Sequence, residues 1–307
     1  MHTSLLIALV ASAGYLLLQH QADGTPMENG KRPAVMSVHN MLNHKAANAT
    51  TTRDIPKRRG IAKYFNAHPH RRTTKFCRHK KHYDIEMRFY EYIERLQDES
   101  RMKLALNKLL PKREAHTRPS NAKGSVHCIL FSLHEKHMRY MSYLKDIPLK
   151  KIYRLPNIMA QIMTGVALLN ELGVAHGNIQ QSSVWMTYGT ATEAPTIKLL
   201  DFGKSILKKD FATLGSVARS TKRFNKSFAN FEEARRYDAE EMAALIKKCI
   251  DIYKTEARPF ANRAIADQFN ALSKVEGMLR DPEKYPTMLS VVRTEEYNKI
   301  ASAVELS

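Results

Sequence analysis

The sequence predicts an α+β protein, and three observations lead there. Across residues 84–96, Ile85, Phe89, Tyr92, Ile93 and Leu96 recur at helical spacing while Glu86, Arg88, Glu91, Glu94 and Arg95 supply a charged face, the pattern of an amphipathic helix. Residues 126–133 and 137–144 are strand-like runs around the polar tip His134-Glu135-Lys136 and read as an antiparallel hairpin. Residues 155–172 hold the longest helical signal: Ile158, Ile162, Val166 and Leu169 form a stripe, Met159 and Met163 widen it, Pro156 suits the first turn and Gly173 ends it. A helix apolar on so many sides belongs inside a core.

The elements follow in chain order. Residues 5–18 are apolar, too short a run for a comfortable membrane span, and polar residues from Gln19 to Asp23 follow; residues 1–22 read as a secretory signal peptide. Ala22 suits the last position before a cut and His20 fits poorly two places earlier, so a cut nearer Gly14 and an uncleaved anchor stay open as alternatives. Residues 23–60 lack any sustained apolar period and read as a flexible basic leader. It holds the dibasic Lys31-Arg32 and Lys57-Arg58-Arg59 and the sequon Asn48-Ala49-Thr50, with a second sequon at Asn225-Lys226-Ser227; ordinary exposed residues explain these patterns as readily as processing does. Beyond the helix at 84–96, residues 100–110 form another, opened by Ser100 and stopped before Pro111. Residues 184–188 and 196–200 are strands around a turn at 189–195, residues 238–252 are helical, and two or three further helices complete the chain.

A chain of 307 residues with 43% hydrophobic and 26% charged residues fits a compact unit of about two lobes and excludes a fibre, a collagen and a wholly disordered protein. No apolar run beyond the first eighteen or so residues is long enough to cross a bilayer, which excludes a polytopic membrane protein. The net charge of +19 attracts phosphates, acidic proteins or anionic membranes without choosing among them. Three widely spaced cysteines, Cys77, Cys128 and Cys249, make no disulfide framework, although one pair could bridge. Cys77, His79 and His82 lack the fourth ligand and the paired-cysteine pattern of structural zinc.

Two stretches carry chemistry. His176-Gly177-Asn178-Ile179-Gln180-Gln181-Ser182-Ser183-Val184 stands between the long helix and the last two strands, and Leu200-Asp201-Phe202-Gly203 follows the second strand. Helix, short loop, hairpin and Asp-Phe-Gly in this order resemble the heart of the protein-kinase-like superfamily. That resemblance spans about residues 61–270 and implies a two-lobed fold: a small β-rich N-lobe with one long helix at 61–144 and a mainly helical C-lobe at 145–307. It implies that Lys75, near the end of a strand, grips nucleotide phosphates with Glu86 as its partner, that Met141 and Tyr143 lie at an adenine-facing hinge, and that Asp201 holds magnesium. It further implies that Tyr90, Phe202 and His176 form an apolar column, with His176 structural, and that Asp238 pins the loop backbone.

The departures shape the functional expectation. Asn178 stands where an active member has the aspartate that takes the acceptor's proton, and Ser183 where it has the asparagine that holds a second magnesium. An amide accepts no proton near neutral pH, and a serine hydroxyl is a weaker and shorter ligand. No glycine-rich loop precedes Lys75, and no Ala-Pro-Glu follows Gly203. The pattern resembles a pseudokinase, with ATP and magnesium as cofactors and a protein partner in a host or neighbouring cell; it reads as secreted and effector-like, with no membrane span after signal cleavage. An active divergent kinase is the leading alternative. A nucleic-acid binder is the other: eleven Lys or Arg stand against Asp54 alone over residues 53–81, yet Tyr64 and Phe65 are the only aromatics among the cations of that stretch's first half, so no specific nucleic acid is expected.

Overall fold

The computed structural model describes residues 73–78, 80–96, 101–116, 127–132, 139–141, 149–187, 195–213 and 228–302. The signal-peptide, leader, sequon and Tyr143 expectations, with His79 of the zinc reading, lie outside these residues.

Strand β1 (Thr73–Arg78) leads into helix α1 (Lys80–Arg95), which begins four residues before the apolar period does because Lys80, Lys81 and His82 form a polar first turn. Helix α2 (Arg101–Leu109) and strand β2 (Lys112–His116) follow, then β3 (His127–Ser132) and the short β4 (Arg139–Tyr140). The first sheet has the order β1-β3-β2, antiparallel throughout, with Lys75 opposite Leu130 and Cys77 opposite Cys128. Cys128 is disulfide-bonded, whereas Cys249 is free and buried.

The expected hairpin between residues 126–133 and 137–144 does not form. Both edges of β3 are occupied, one by β1 and the other by β2, so β4 has no edge of β3 left to pair with. It joins a second sheet instead, opposite Trp185 and Met186. Strand β2 was not expected from its sequence, because Lys-Arg-Glu-Ala-His shows no apolar alternation. Tertiary contacts hold it: Arg113 donates to both Glu94 oxygens at 2.6 Å, tying the strand to α1.

A single helical turn, α3 (Leu149–Ile152), precedes α4 (Leu155–Glu171), which is buried along most of its length as its apolar circumference dictates. Gly173 ends α4 with a φ of +76°, a conformation that costs glycine nothing. Strands β5 (Val174–Ala175), β6 (Val184–Thr187), β7 (Thr196–Leu199) and β8 (Ile206–Leu207) come next. β6 and β7 form the expected hairpin and complete the second sheet, β4-β6-β7, while β5 pairs with β8.

The remaining α-helices are α5 (Lys208–Thr213), α6 (Phe231–Ile252), α7 (Arg263–Leu279), α8 (Met288–Val292) and α9 (Glu295–Ala301). Helix α6 starts seven residues before the expected 238, with Asn230 accepting from the Glu233 amide at 2.9 Å and two glutamates in its first turn. The polar run Glu232 to Glu241 hides this start, since Asp238 occupies the buried stripe where an apolar residue would otherwise stand. One continuous core joins Phe89, Tyr90 and Phe131 through Met141 to α4, α6 and α7. No helix among the described residues is long and apolar enough to cross a membrane.

Candidate functional site

The loop from His176 to Ser183 is held from below by α6. Asp238 is fully buried and accepts from the amides of His176 and Gly177, both at 2.8 Å, and from Asn170 Nδ2 at 3.0 Å. Burial pushes its carboxyl up to about 7, against the three donors that pull it down. One turn further along the same helix, Glu241 accepts from the Ile179 amide at 2.6 Å. Sequence reasoning missed Glu241; its signal was a second acid three residues after Asp238, on the same helical face. Two carboxylates therefore grip the backbone on both sides of Asn178.

The loop also closes against the turn after β7. Gly177 has a φ of +69°, and a Cβ there would lie 2.5 Å from the Lys204 carbonyl oxygen. Only glycine satisfies both the backbone angle and this contact. Asp201 has a φ of +66°, the only positive value at a non-glycine position among the described residues, and Phe202 to Lys204 continue as one tight turn. Such a backbone is costly for an L residue and persists where packing enforces it.

The packing is aromatic. Phe89 of α1 stacks on Phe202 at 3.7 Å, Tyr90 meets the same ring edge-on at 6.0 Å, and His176 lies against it at 4.7 Å. Phe89 makes the closest of these contacts, a role that sequence reasoning placed on Tyr90 alone. His176 is buried, and burial pulls its imidazole down to about 4, so it is neutral at physiological pH. His82, weighed in the sequence only as a zinc ligand, brings Nδ1 within 3.0 Å of the Gly203 carbonyl and locks α1 to this turn.

Asn178 is the hub of the polar side. Its Nδ2 donates to Asp201 Oδ2 at 2.8 Å, and its Oδ1 accepts from Lys204 Nζ at 2.8 Å and Gln180 Nε2 at 3.2 Å. Ser183 turns inward: its Oγ donates to the Gln180 carbonyl at 2.7 Å and accepts from the Gln180 amide at 2.9 Å. Glu86 is 1% exposed on α1, a helix that packs against β1 and β3, and β1 carries Lys75. Met141 is buried in the core at the end of β4. The structure thus brings His176, Asn178, Ser183 and Asp201 into one cluster and sets Glu86 on the helix that packs against it.

A three-stranded sheet with its long helix stands on a helical body, with a carboxylate-pinned loop facing an aspartate in the left-handed region. This arrangement resembles the protein-kinase-like fold. Solved structures similar to this chain include the Rad53 kinase domain with SCD2, at 14% identity and a TM-score of 0.45, covering 76% of this chain and 84% of that one. Another is vaccinia related kinase 3, at 11% identity and a TM-score of 0.42, covering 76% and 84%. No protein-family model matches the chain, and neither does any curated protein.

The metal that a kinase-like fold implies meets an unsuitable donor set here. Magnesium takes oxygen ligands. The Asn178 oxygen is engaged by an ammonium, the Ser183 hydroxyl is spent on the Gln180 backbone, and Asp201 Oδ2 receives an amide proton. These side chains, as arranged, do not fit a two-metal site.

Proposed function

We propose that the protein is an exported pseudokinase: a kinase-like body that binds nucleotide, lacks the proton-accepting group and acts by engaging a partner protein. The observation that supports this most is the state of Asn178, whose amide is oriented by Lys204 on one side and Asp201 on the other. A side chain so placed donates to the acid of the site and accepts no proton, and loss of a general base costs ~10²- to 10⁴-fold in rate. Nucleotide binding is supported by the buried Glu86 on the helix packed against the strand that carries Lys75. Export is supported by the apolar run at residues 5–18 and by the disulfide at Cys128, since disulfides persist in oxidising compartments. A charge of +19 favours a partner with an acidic surface, in a host or neighbouring cell.

Thermal unfolding with and without ATP tests the nucleotide half. At a hundred times its dissociation constant, a ligand adds about 2.7 kcal/mol to stability. Wild type is expected to shift by several degrees and Lys75→Met not to shift. A phosphotransfer assay tests the other half: no transfer above background is expected, and transfer that Asp201→Asn abolishes would identify an active kinase and overturn the reading.

A further inference from the structure

We propose that Lys204 is a built-in cation standing in for a divalent metal, so that this site holds the phosphates of ATP without magnesium. The inference rests on the nucleotide reading above and names its chemistry.

The orientation of Asn178 is dictated by its neighbour. A lysine ammonium is a donor only, so the amide atom 2.8 Å from Lys204 Nζ is the oxygen, and the NH₂ group faces Asp201 Oδ2. A divalent cation at that carboxylate oxygen would meet N–H bonds directed towards it. Ser183, the other position from which a metal would be held, is buried, and its hydroxyl both donates to and accepts from Gln180. The ammonium is not on a loose surface arm. Lys204 closes the tight turn after Asp201, its backbone carbonyl packs on Gly177, and its side chain is partly buried. Counting charges, Asp201 contributes one negative and Lys204 one positive, so the pair leaves no excess negative charge to attract Mg²⁺. A fixed ammonium beside a carboxylate remains a phosphate ligand, as a point charge that needs no metal.

Two measurements on the full chain decide this. The first is ATP affinity by calorimetry, in EDTA and in magnesium. Wild type is expected to bind equally in both, Lys204→Met to lose about tenfold or more in EDTA, the value of one charged contact, and Lys204→Arg to retain binding. Circular dichroism verifies that each variant is folded. The second is the melting temperature with magnesium or manganese alone. Wild type is expected not to respond, whereas Asn178→Asp, which sets two carboxylates side by side, is expected to be stabilised by the metal. Wild-type binding that requires magnesium, unchanged EDTA affinity in folded Lys204→Met, or a wild-type melting shift with metal alone each overturns the role of Lys204 and leaves nucleotide binding standing. Absence of ATP binding in both buffers overturns the nucleotide reading, and the metal-alone arm then still decides whether Lys204 displaces the metal.

Discussion

At the scale of single residues, the loop under Asn178 is fixed by a few atoms whose loss is measurable. Gly177→Ala adds a Cβ 2.5 Å from the Lys204 carbonyl at a positive φ, and a strained backbone of this kind costs of order 1–3 kcal/mol. The expected outcome is a lower denaturant midpoint with an unchanged slope. His176 and Asp238 give the loop opposing pH responses. The imidazole, held down to about 4, binds fewer protons folded than unfolded, so its contribution to stability rises from about pH 4 to its ordinary value of 6.5. The Asp238 carboxyl, held up to about 7 from its ordinary value of 3.8, binds more protons folded, so its contribution falls as pH rises across that window. His176→Phe keeps a ring against Phe202 and removes one of the two opposing effects. Relative to wild type, the variant should lose stability as pH rises from 5 to 7; a parallel pH profile for the two would refute the assignment. His176, Asn178 and Asp201 were legible in sequence because each sits in a short contiguous motif. Glu241, His82 and Lys204 were not, since their partners lie 62, 121 and 26 residues away.

At the scale of elements, α1 is the coupling piece. Phe89 stacks on Phe202, His82 reaches Gly203, and Tyr92 Oη donates to the Leu172 carbonyl at 2.6 Å, so one helix touches the turn after β7 and the end of α4 together. Phe89→Ala should cost about 3–5 kcal/mol, as truncation of a fully buried aromatic does. It should also release the turn, seen as faster amide exchange at Phe202 to Lys204; exchange unchanged in a folded variant would disprove the coupling. Helix α6 depends on its cap, and Asn230→Ala should cost about 1 kcal/mol, read as a fall in melting temperature. Helices α1 and α4 and the β6-β7 hairpin were legible because their patterns are local. Strand β2 and the pairing of β4 were not, because strand partnership depends on which edges other strands have already taken.

At the scale of the whole molecule, one large cluster joins buried residues of the sheet to most of those of the helical body, beside a small second cluster around Phe228 and Phe231. The described parts should therefore melt together: Trp185 fluorescence and far-UV circular dichroism are expected to report coincident transitions, and an earlier, separate loss of one signal would show that the lobes are independent. By itself the sequence determined the α+β class, the helical positions with strong 3.6-residue periods, the motif resemblance and the replacement of the proton acceptor by Asn178. These are local properties of composition, spacing and residue chemistry. Tertiary structure alone decided which strands pair, that Phe89 makes the tightest contact on Phe202, that Glu241 joins Asp238 under the loop and that Lys204 meets Asn178. Each of these depends on groups far apart in the chain arriving within about 3–4 Å, a distance set by the closure of the whole core and not by any neighbouring residue.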